Sequence, residues 1–130
     1  MYEIKREGWG YRLRFSGFIR TPEMETWKAE SERSLKMAPA TFGVYVDMHD
    51  LKPLAEDTQG VMVSGQQLYK KAGMTRSAVL VDSANTAAQF RRLAKESGIY
   101  AWERYFHSQD AAAEQKALRW IKDGVDPDQS

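Results

Sequence analysis

The chain opens with two short segments in which apolar and polar residues alternate. Residues 2–5 read YEIK and residues 11–16 read YRLRFS, with an apolar residue at every second position. A period of two places the apolar side chains on one face of a β-strand and the charged side chains on the other. The intervening residues 7–10, EGWG, are typical of a tight turn, so the two segments are predicted to form a hairpin.

Four longer segments show the apolar spacing of helices, a period of about 3.6 residues. The first has Thr21 as its predicted cap and Pro22 in the opening turn, and Pro39 stops it. The other three are predicted to begin at Thr58, Ser83 and Ser108 and to end before Gly73, Gly98 and Gly124.

Three further segments between these helices are predicted to be strands. Phe42–Met48 and Ser77–Asp82 are nearly continuous apolar runs with an acidic residue at or near the end, as expected for strands that are covered on both faces. Trp102–Phe106 is shorter and has interleaved charges, which is typical of an edge strand.

The predicted element order is therefore β-β-α-β-α-β-α-β-α. Alternation of strands and helices indicates an α/β domain with a mixed, mostly parallel sheet and helices packed on it. The 130 residues fit a single domain, with residues 124–130 expected to form a frayed tail.

Composition excludes several classes of function. Nineteen basic residues against 18 acidic residues leave a net charge of +1, so there is no overall basic field to attract nucleic acid. The chain has no cysteine and two histidines, which argues against disulfides, thiolate catalysis, cysteine-bound zinc and a His-rich metal site. No apolar run has the length of a membrane span or a signal peptide. We therefore expect a cytoplasmic chain with no cofactor, no metal and no stable membrane insertion.

Sequence motifs of catalysis are missing as well. There is no nucleophile elbow, phosphate loop or dinucleotide-binding glycine pattern. Asp47, His49, Asp50 and Asp82 follow predicted strands and have donors that suit a hard cation, but acidic residues at strand ends commonly just form turns. The sequence therefore favours a protein that acts by binding, without catalytic residues.

The chain resembles the SpoIIAA-like branch of the STAS superfamily, bacterial domains with the anti-sigma-factor-antagonist fold. The resemblance rests on the segments RLRFSG (12–17), GVYVDM (43–48), AVLVD (78–82), RYF (104–106) and ALRWI (117–121). It implies a non-catalytic regulatory module that binds a protein partner. In the antagonists, a serine at the start of the helix after the central strand is phosphorylated, and Thr58 falls on that position between Asp57 and Gly60.

The leading hypothesis places the partner surface after the central strand. It is expected to include the segment from Met48 to Gly60 and the face of the following helix that carries Val61, Gln66, Tyr69 and Lys70. The candidate contacts are His49, Asp50, Asp57, Gln59, Gly60 and Val61. The hydroxyl of Thr58 is expected to be exposed, so that added phosphate would repel an acidic partner face.

A second hypothesis is a carrier of a small apolar or amphipathic ligand, because some relatives of this fold resemble SEC14-like lipid carriers. Aromatic residues make up 12% of the chain. The predicted pocket lies between the sheet and the helices and is lined by Trp27, Tyr45, Met62 and Trp102. The alternative for these residues is ordinary core packing or a dimer contact, and a homodimer through helix faces also stays open.

Overall fold

The computed structural model describes residues 1–129. Within that range the chain forms one five-stranded sheet, four α-helices and a single 3₁₀ turn. In chain order the elements are β1 (Tyr2–Glu7), β2 (Gly10–Phe15), α1 (Thr21–Leu35), β3 (Phe42–Asp47), α2 (Glu56–Ala72), β4 (Met74–Val81), α3 (Ala84–Ser97), the 3₁₀ turn (Tyr100–Trp102), β5 (Glu103–His107) and α4 (Ala113–Asp123). This order confirms the one predicted from the hydrophobic pattern.

The strands lie in the sheet in the same order as in the chain. β1 and β2 form the predicted antiparallel hairpin, and β2, β3, β4 and β5 run parallel to one another. Gly10 has a φ of +152°, and a Cβ at this position would lie 1.9 Å from the carbonyl oxygen of Gly43. Only glycine therefore lets β2 approach β3 so closely where their pairing begins.

Helices cover the two faces of the sheet unequally. α1, α2 and α3 pack on one face around Trp27, Phe15 and Phe90, whereas α4 alone packs on the other face. The second core consists of Tyr45, Ala78, Phe106, Ala113, Ala117, Trp120 and Ile121. Because β3 contributes to both cores, its residues 42–46 are all buried, which explains the continuous apolar run in the sequence.

Three predicted helix starts differ from the structure. Thr21 is the first residue of α1 and not its cap, and α2 already begins at Glu56, ahead of Thr58. Ser108 does not cap α4, because its hydroxyl donates to Asp82 Oδ1 (2.8 Å) across the end of the sheet. Turns fill residues 108–112 before α4 begins, and Asp110 stabilises them by accepting from the backbone N–H of Ala112 (2.9 Å).

The segment after α4 is held at one point. The last residue of the predicted tail, Ser130, lies outside the described residues. Asp126 receives two hydrogen bonds from Arg104, at 2.8 Å from Nε and 3.0 Å from Nη2. The Arg104 guanidinium also lies 4.4 Å from the ring centre of Trp120. The hydrogen bond from Arg104 lowers the pKa of Asp126 to about 2. Residue 126 is therefore anchored against β5 and α4.

None of the helices formed by residues 1–129 is both long enough and apolar enough to cross a membrane.

Candidate functional site

The predicted partner surface starts with the connection between β3 and α2, which is pinned on one side by the β2–α1 connection. Leu51 is buried and forms an isolated parallel bridge with Gly17. The backbone N–H of Gly17 donates to Asp50 O, and that of Lys52 donates to Gly17 O, both at 3.0 Å. These bonds extend the β2–β3 pairing beyond the regular strands and fix the backbone around Asp50.

α3 holds the same connection from the other side. The side-chain amide of Gln89 accepts from Leu54 N (2.8 Å) and donates to Leu54 O (3.1 Å), and Gln59 Nε2 also donates to Leu54 O (2.9 Å). Leu54 lies outside the sheet, and these bonds satisfy its backbone N–H and C=O, which have no strand partner. The role of Gln89 was not predicted, since a single glutamine on a helix carries no signal of it.

His49 lies between two carboxylates at the end of β3. Its Nδ1 is 2.6 Å from Asp47 Oδ1 and its Nε2 is 3.0 Å from Asp50 Oδ2. The pKa of His49 is raised, chiefly by the hydrogen bond to Asp47, with further contributions from the negative charges of Asp47 and Asp50. Arg14 Nη2 approaches Asp50 Oδ2 at 3.5 Å, so the cluster joins β2 to this connection. The protonated ring can donate to both carboxylates, whereas the neutral ring can donate to only one.

Most of the other predicted contacts lie in the first turns of α2. Further along this helix, Gln66 and Tyr69 are buried and so cannot meet a partner as predicted, whereas Lys70 is exposed. Asp57 and Gly60 are exposed, whereas Gln59 and Val61 are half-buried, and Gln59 Oε1 accepts from Arg92 of α3. Phe18, in the β2–α1 connection beside the Gly17–Leu51 bridge, is 63% exposed. No pattern in the sequence singles this residue out.

Thr58 is not exposed as predicted. It is 1% exposed, and its Oγ1 lies 2.8 Å from Thr21 Oγ1, which joins the start of α2 to the start of α1. It also caps neither helix, because the N-cap of α2 is Ala55. The prediction failed because a position in the first turn of a helix is exposed only when no second helix start packs against it.

The four predicted pocket residues do not line one pocket. Trp27 and Met62 belong to the core under α1 and α2, whereas Tyr45 belongs to the core under α4, on the opposite face of the sheet. Trp102 is partly buried against both cores at the edge. The cavity beside Trp27 and Met62 measures about 30 Å³. That volume holds about two water molecules and is far below that of a ligand site, so the predicted pocket between sheet and helices has no room for the cargo of a carrier.

A buried polar cluster lies at the start of β5. Glu103 is 5% exposed, and its carboxylate accepts from Ser77 Oγ (2.9 Å) and from the hydroxyl of Tyr105 (2.5 Å). Burial raises the pKa of Glu103 to about 7, although both hydrogen bonds act in the opposite direction. No pattern in the chain indicates this burial, because a charge in an edge strand is usually solvated.

Residues 1–129 contain no group of three or more His, Asp or Glu side chains placed to hold a metal ion. The candidate ligands Asp47 and Asp50 are each paired with His49 instead.

The sequence matches no known protein-family model. No curated protein matches it either. Among solved structures, the fold is similar to that of the anti-sigma factor antagonist SpoIIAA in its unphosphorylated form. That similarity has a TM-score of 0.61 and 15% sequence identity, and it covers 93% of this chain and 98% of that chain. The two chains therefore share a fold, which confirms the SpoIIAA-like architecture predicted from the sequence.

Proposed function

We propose that this chain is a non-catalytic regulatory module that binds a protein partner through the β2–α1 connection, the β3–α2 connection and the first turns of α2. The surface formed by residues 16–20, residues 48–55 and the first turns of α2 (residues 56–61) is called the switch-end surface. The fold shared with an anti-sigma factor antagonist supports a role in protein interaction. Bacterial origin, a cytoplasmic setting and the absence of catalysis belong to the same proposal.

The observation that carries the proposal is a solvent-exposed side chain on a fixed backbone. Phe18 is 63% exposed next to the Gly17–Leu51 bridge, and Gln89 fixes the other end of the β3–α2 connection. A binding surface that is already ordered loses little conformational entropy when a partner docks. The exposed Arg20, whose guanidinium lies 5.7 Å from the ring centre of Phe18, and the exposed Asp57 in the first turn of α2 supply charges for partner selection.

The proposed regulation by phosphorylation of Thr58 requires a local opening of the fold. The Thr58 hydroxyl is buried against Thr21, so a kinase reaches it only when the first turn of α2 opens. A phosphate has no room beside Thr21 Oγ1, so phosphorylation would displace the start of α2 from α1. Partner release would then follow from a changed surface shape, in addition to the new negative charge.

The test uses a photo-cross-linking amino acid at two exposed apolar positions. Phe18 lies in the switch-end surface, and Met37, 71% exposed just after α1, serves as the matched control away from it. In cells that express the chain naturally, cross-linking to a protein from position 18 and not from position 37 supports the proposal. Cross-linking at neither position, or equally at both, contradicts it.

The captured partner then allows an affinity test. Phe18→Ala is expected to weaken binding by about tenfold or more, because a central aromatic contact is worth roughly 1–2 kcal/mol or more. Met37→Ala is expected to leave the affinity unchanged.

A separate experiment tests regulation. The chain is incubated with ATP and a lysate of the same cells, and phosphate is located by mass spectrometry. Phosphate at Thr58 that is absent in Thr58→Val supports the switch, and a chain phosphorylated only elsewhere excludes it.

A further inference from the structure

β5 leaves part of its backbone without a partner. It pairs with β4 on one side, and Ser108 N continues this ladder by donating to Val81 O (2.8 Å). Since backbone groups alternate in direction along a strand, those of Tyr105 and His107 point away from β4. Asp110 N uses His107 O, but the N–H and C=O of Tyr105 and the N–H of His107 have no hydrogen bond within residues 1–129.

A groove runs along this open edge between β5 and α3. It consists of two hollows, of about 300 Å³ and about 250 Å³, which share Arg91 and Tyr105 as lining residues. The first hollow is mainly apolar and includes Ala84, Ala87 and Phe106. The second hollow includes Tyr100 and lies toward the start of β5.

Two cations of α3 lie at the groove without a carboxylate partner. Arg91 lines both hollows, and Lys95 lies over Tyr100, which lines the second hollow. The Arg91 guanidinium lies 4.6 Å from the ring centre of Tyr105, and Lys95 Nζ lies 4.8 Å from that of Tyr100. Within residues 1–129 neither cation forms an ion pair. Two acids line the second hollow, but both have partners, since Asp128 pairs with Arg104 and Glu103 accepts from Ser77 and Tyr105. Asp126 also pairs with Arg104.

The spacing along α3 matches that of an added strand. Ala87, Arg91 and Lys95 follow one another at intervals of four residues, which is about 6 Å along a helix. Alternate side chains on one face of a strand are about 6.7 Å apart. An extended segment on β5 can therefore place one side chain beside Ala87 and the next two on that face beside Arg91 and Lys95.

We propose that β5 and α3 form a docking site for an extended acidic segment of a partner protein, which adds to the sheet beside β5. Its backbone pairs with Tyr105 and His107, an apolar side chain enters the hollow beside Ala87, and two carboxylates meet Arg91 and Lys95. Charge complementarity selects this occupant over a second copy of the chain, because antiparallel β5–β5 pairing would bring the two rows of cations together. This site is separate from the switch-end surface, so either proposal can fail alone.

The first experiment measures amide hydrogen exchange by NMR with short synthetic peptides. The acidic probes are peptides with valine, glutamate and glutamate at alternate positions and threonine between them, and each is made in the forward and in the reversed sequence. The control peptides have lysine in place of each glutamate. In the free protein we expect fast exchange at Tyr105 and His107 and slow exchange at Arg104 and Phe106. An acidic probe should protect the amides of Tyr105 and His107, and the lysine peptides should not.

Variants then test the contacts. Arg91→Gln with Lys95→Gln should weaken binding of the acidic probe roughly tenfold, since two exposed ion pairs are lost. His107→Pro removes the N–H that points away from β4 and keeps the N–H groups of Phe106 and Ser108, which point toward β4. It should abolish peptide-induced protection of the Tyr105 amide. Lys122→Gln on α4 is the control for loss of positive charge.

The proposal is overturned if no acidic probe binds, if the lysine peptides bind equally well, or if binding leaves Tyr105 and His107 unprotected. Protection that appears without peptide and rises with protein concentration would assign the edge to a second copy of the chain, and would overturn it too.

Discussion

Replacement of Glu103 by glutamine should remove part of the pH dependence of the free energy of unfolding. The carboxyl group is buried between Ser77 and Tyr105, and its pKa is raised from 4.5 to about 7. Glutamine keeps the size of the side chain and removes the charge. Both neighbouring hydroxyl groups can rotate to meet the amide, so the hydrogen bonds at this site can be retained.

The sign follows from the protons bound in each state. Near pH 4 the carboxyl group is mostly protonated in both the folded and the unfolded chain, so folding does not require a charge to be buried. As the pH rises the unfolded chain loses the proton first, and the folded chain loses it near pH 7. The wild-type free energy of unfolding should therefore fall by about 3 kcal/mol relative to Glu103→Gln between about pH 4 and about pH 8, at 1.36 kcal/mol per pKa unit. Burial also raises the pKa of Tyr105, so this neighbour stays neutral throughout.

Urea unfolding followed by tryptophan fluorescence measures the effect. The quantity of interest is the difference in free energy of unfolding between wild type and Glu103→Gln at each pH. The exposed Glu32 of α1 provides the control variant Glu32→Gln, which removes one carboxylate from the surface. A difference between wild type and Glu103→Gln that stays constant from about pH 4 to about pH 8 would refute the reasoning, because it would mean that water reaches Glu103 in the folded state.

Two further predictions concern the core of α2 and the end of β3. Gly65→Ala should lower the free energy of unfolding by about 1–3 kcal/mol, because its Cβ would lie 2.1 Å from Trp27 Cζ3. The control Gly60→Ala meets no atom within 4 Å and should raise the free energy of unfolding by up to about 1 kcal/mol. Chemical denaturation measures both free energies, and equal effects of the two variants would contradict the packing of Gly65 against Trp27. NMR titration of the His49 ring should give a pKa above its ordinary value of 6.5 that falls in Asp47→Asn, since Asp47 is the main cause of the rise; a pKa that does not change in this variant would contradict the hydrogen bond.

The sequence was sufficient for the fold because its main signals are local. The continuous apolar run of β3 and the alternation in β1 and β2 depend on which faces are buried, and burial on one or both faces leaves a direct pattern. Helix starts were harder to predict. Ser108 has the residue type of a cap, but Asp82 from another strand takes its hydroxyl.

The candidate site was predicted only in outline, because its details depend on contacts between residues that are distant in the chain. His49, Asp57 and Gly60 lie in the expected segment because they follow a strand that the pattern identified. The burial of Thr58 depends on Thr21, and the position of Leu54 depends on Gln89, both distant in the chain. Contacts between distant side chains leave no periodic signal in a single sequence, so Glu103 was expected at a solvated edge.

The sequential strand order has a consequence for how the molecule is made. Every strand pairs with the next strand in the chain, so no pairing has to close a loop longer than one strand–helix–strand unit. The entropic cost of loop closure rises with loop length, and short closures favour rapid folding. During synthesis the sheet can grow strand by strand as the chain leaves the ribosome. α4 follows all five strands, so Tyr45 and Ala78 stay uncovered until its 11 residues emerge. The nascent chain is therefore most prone to aggregation in the interval between β5 and α4.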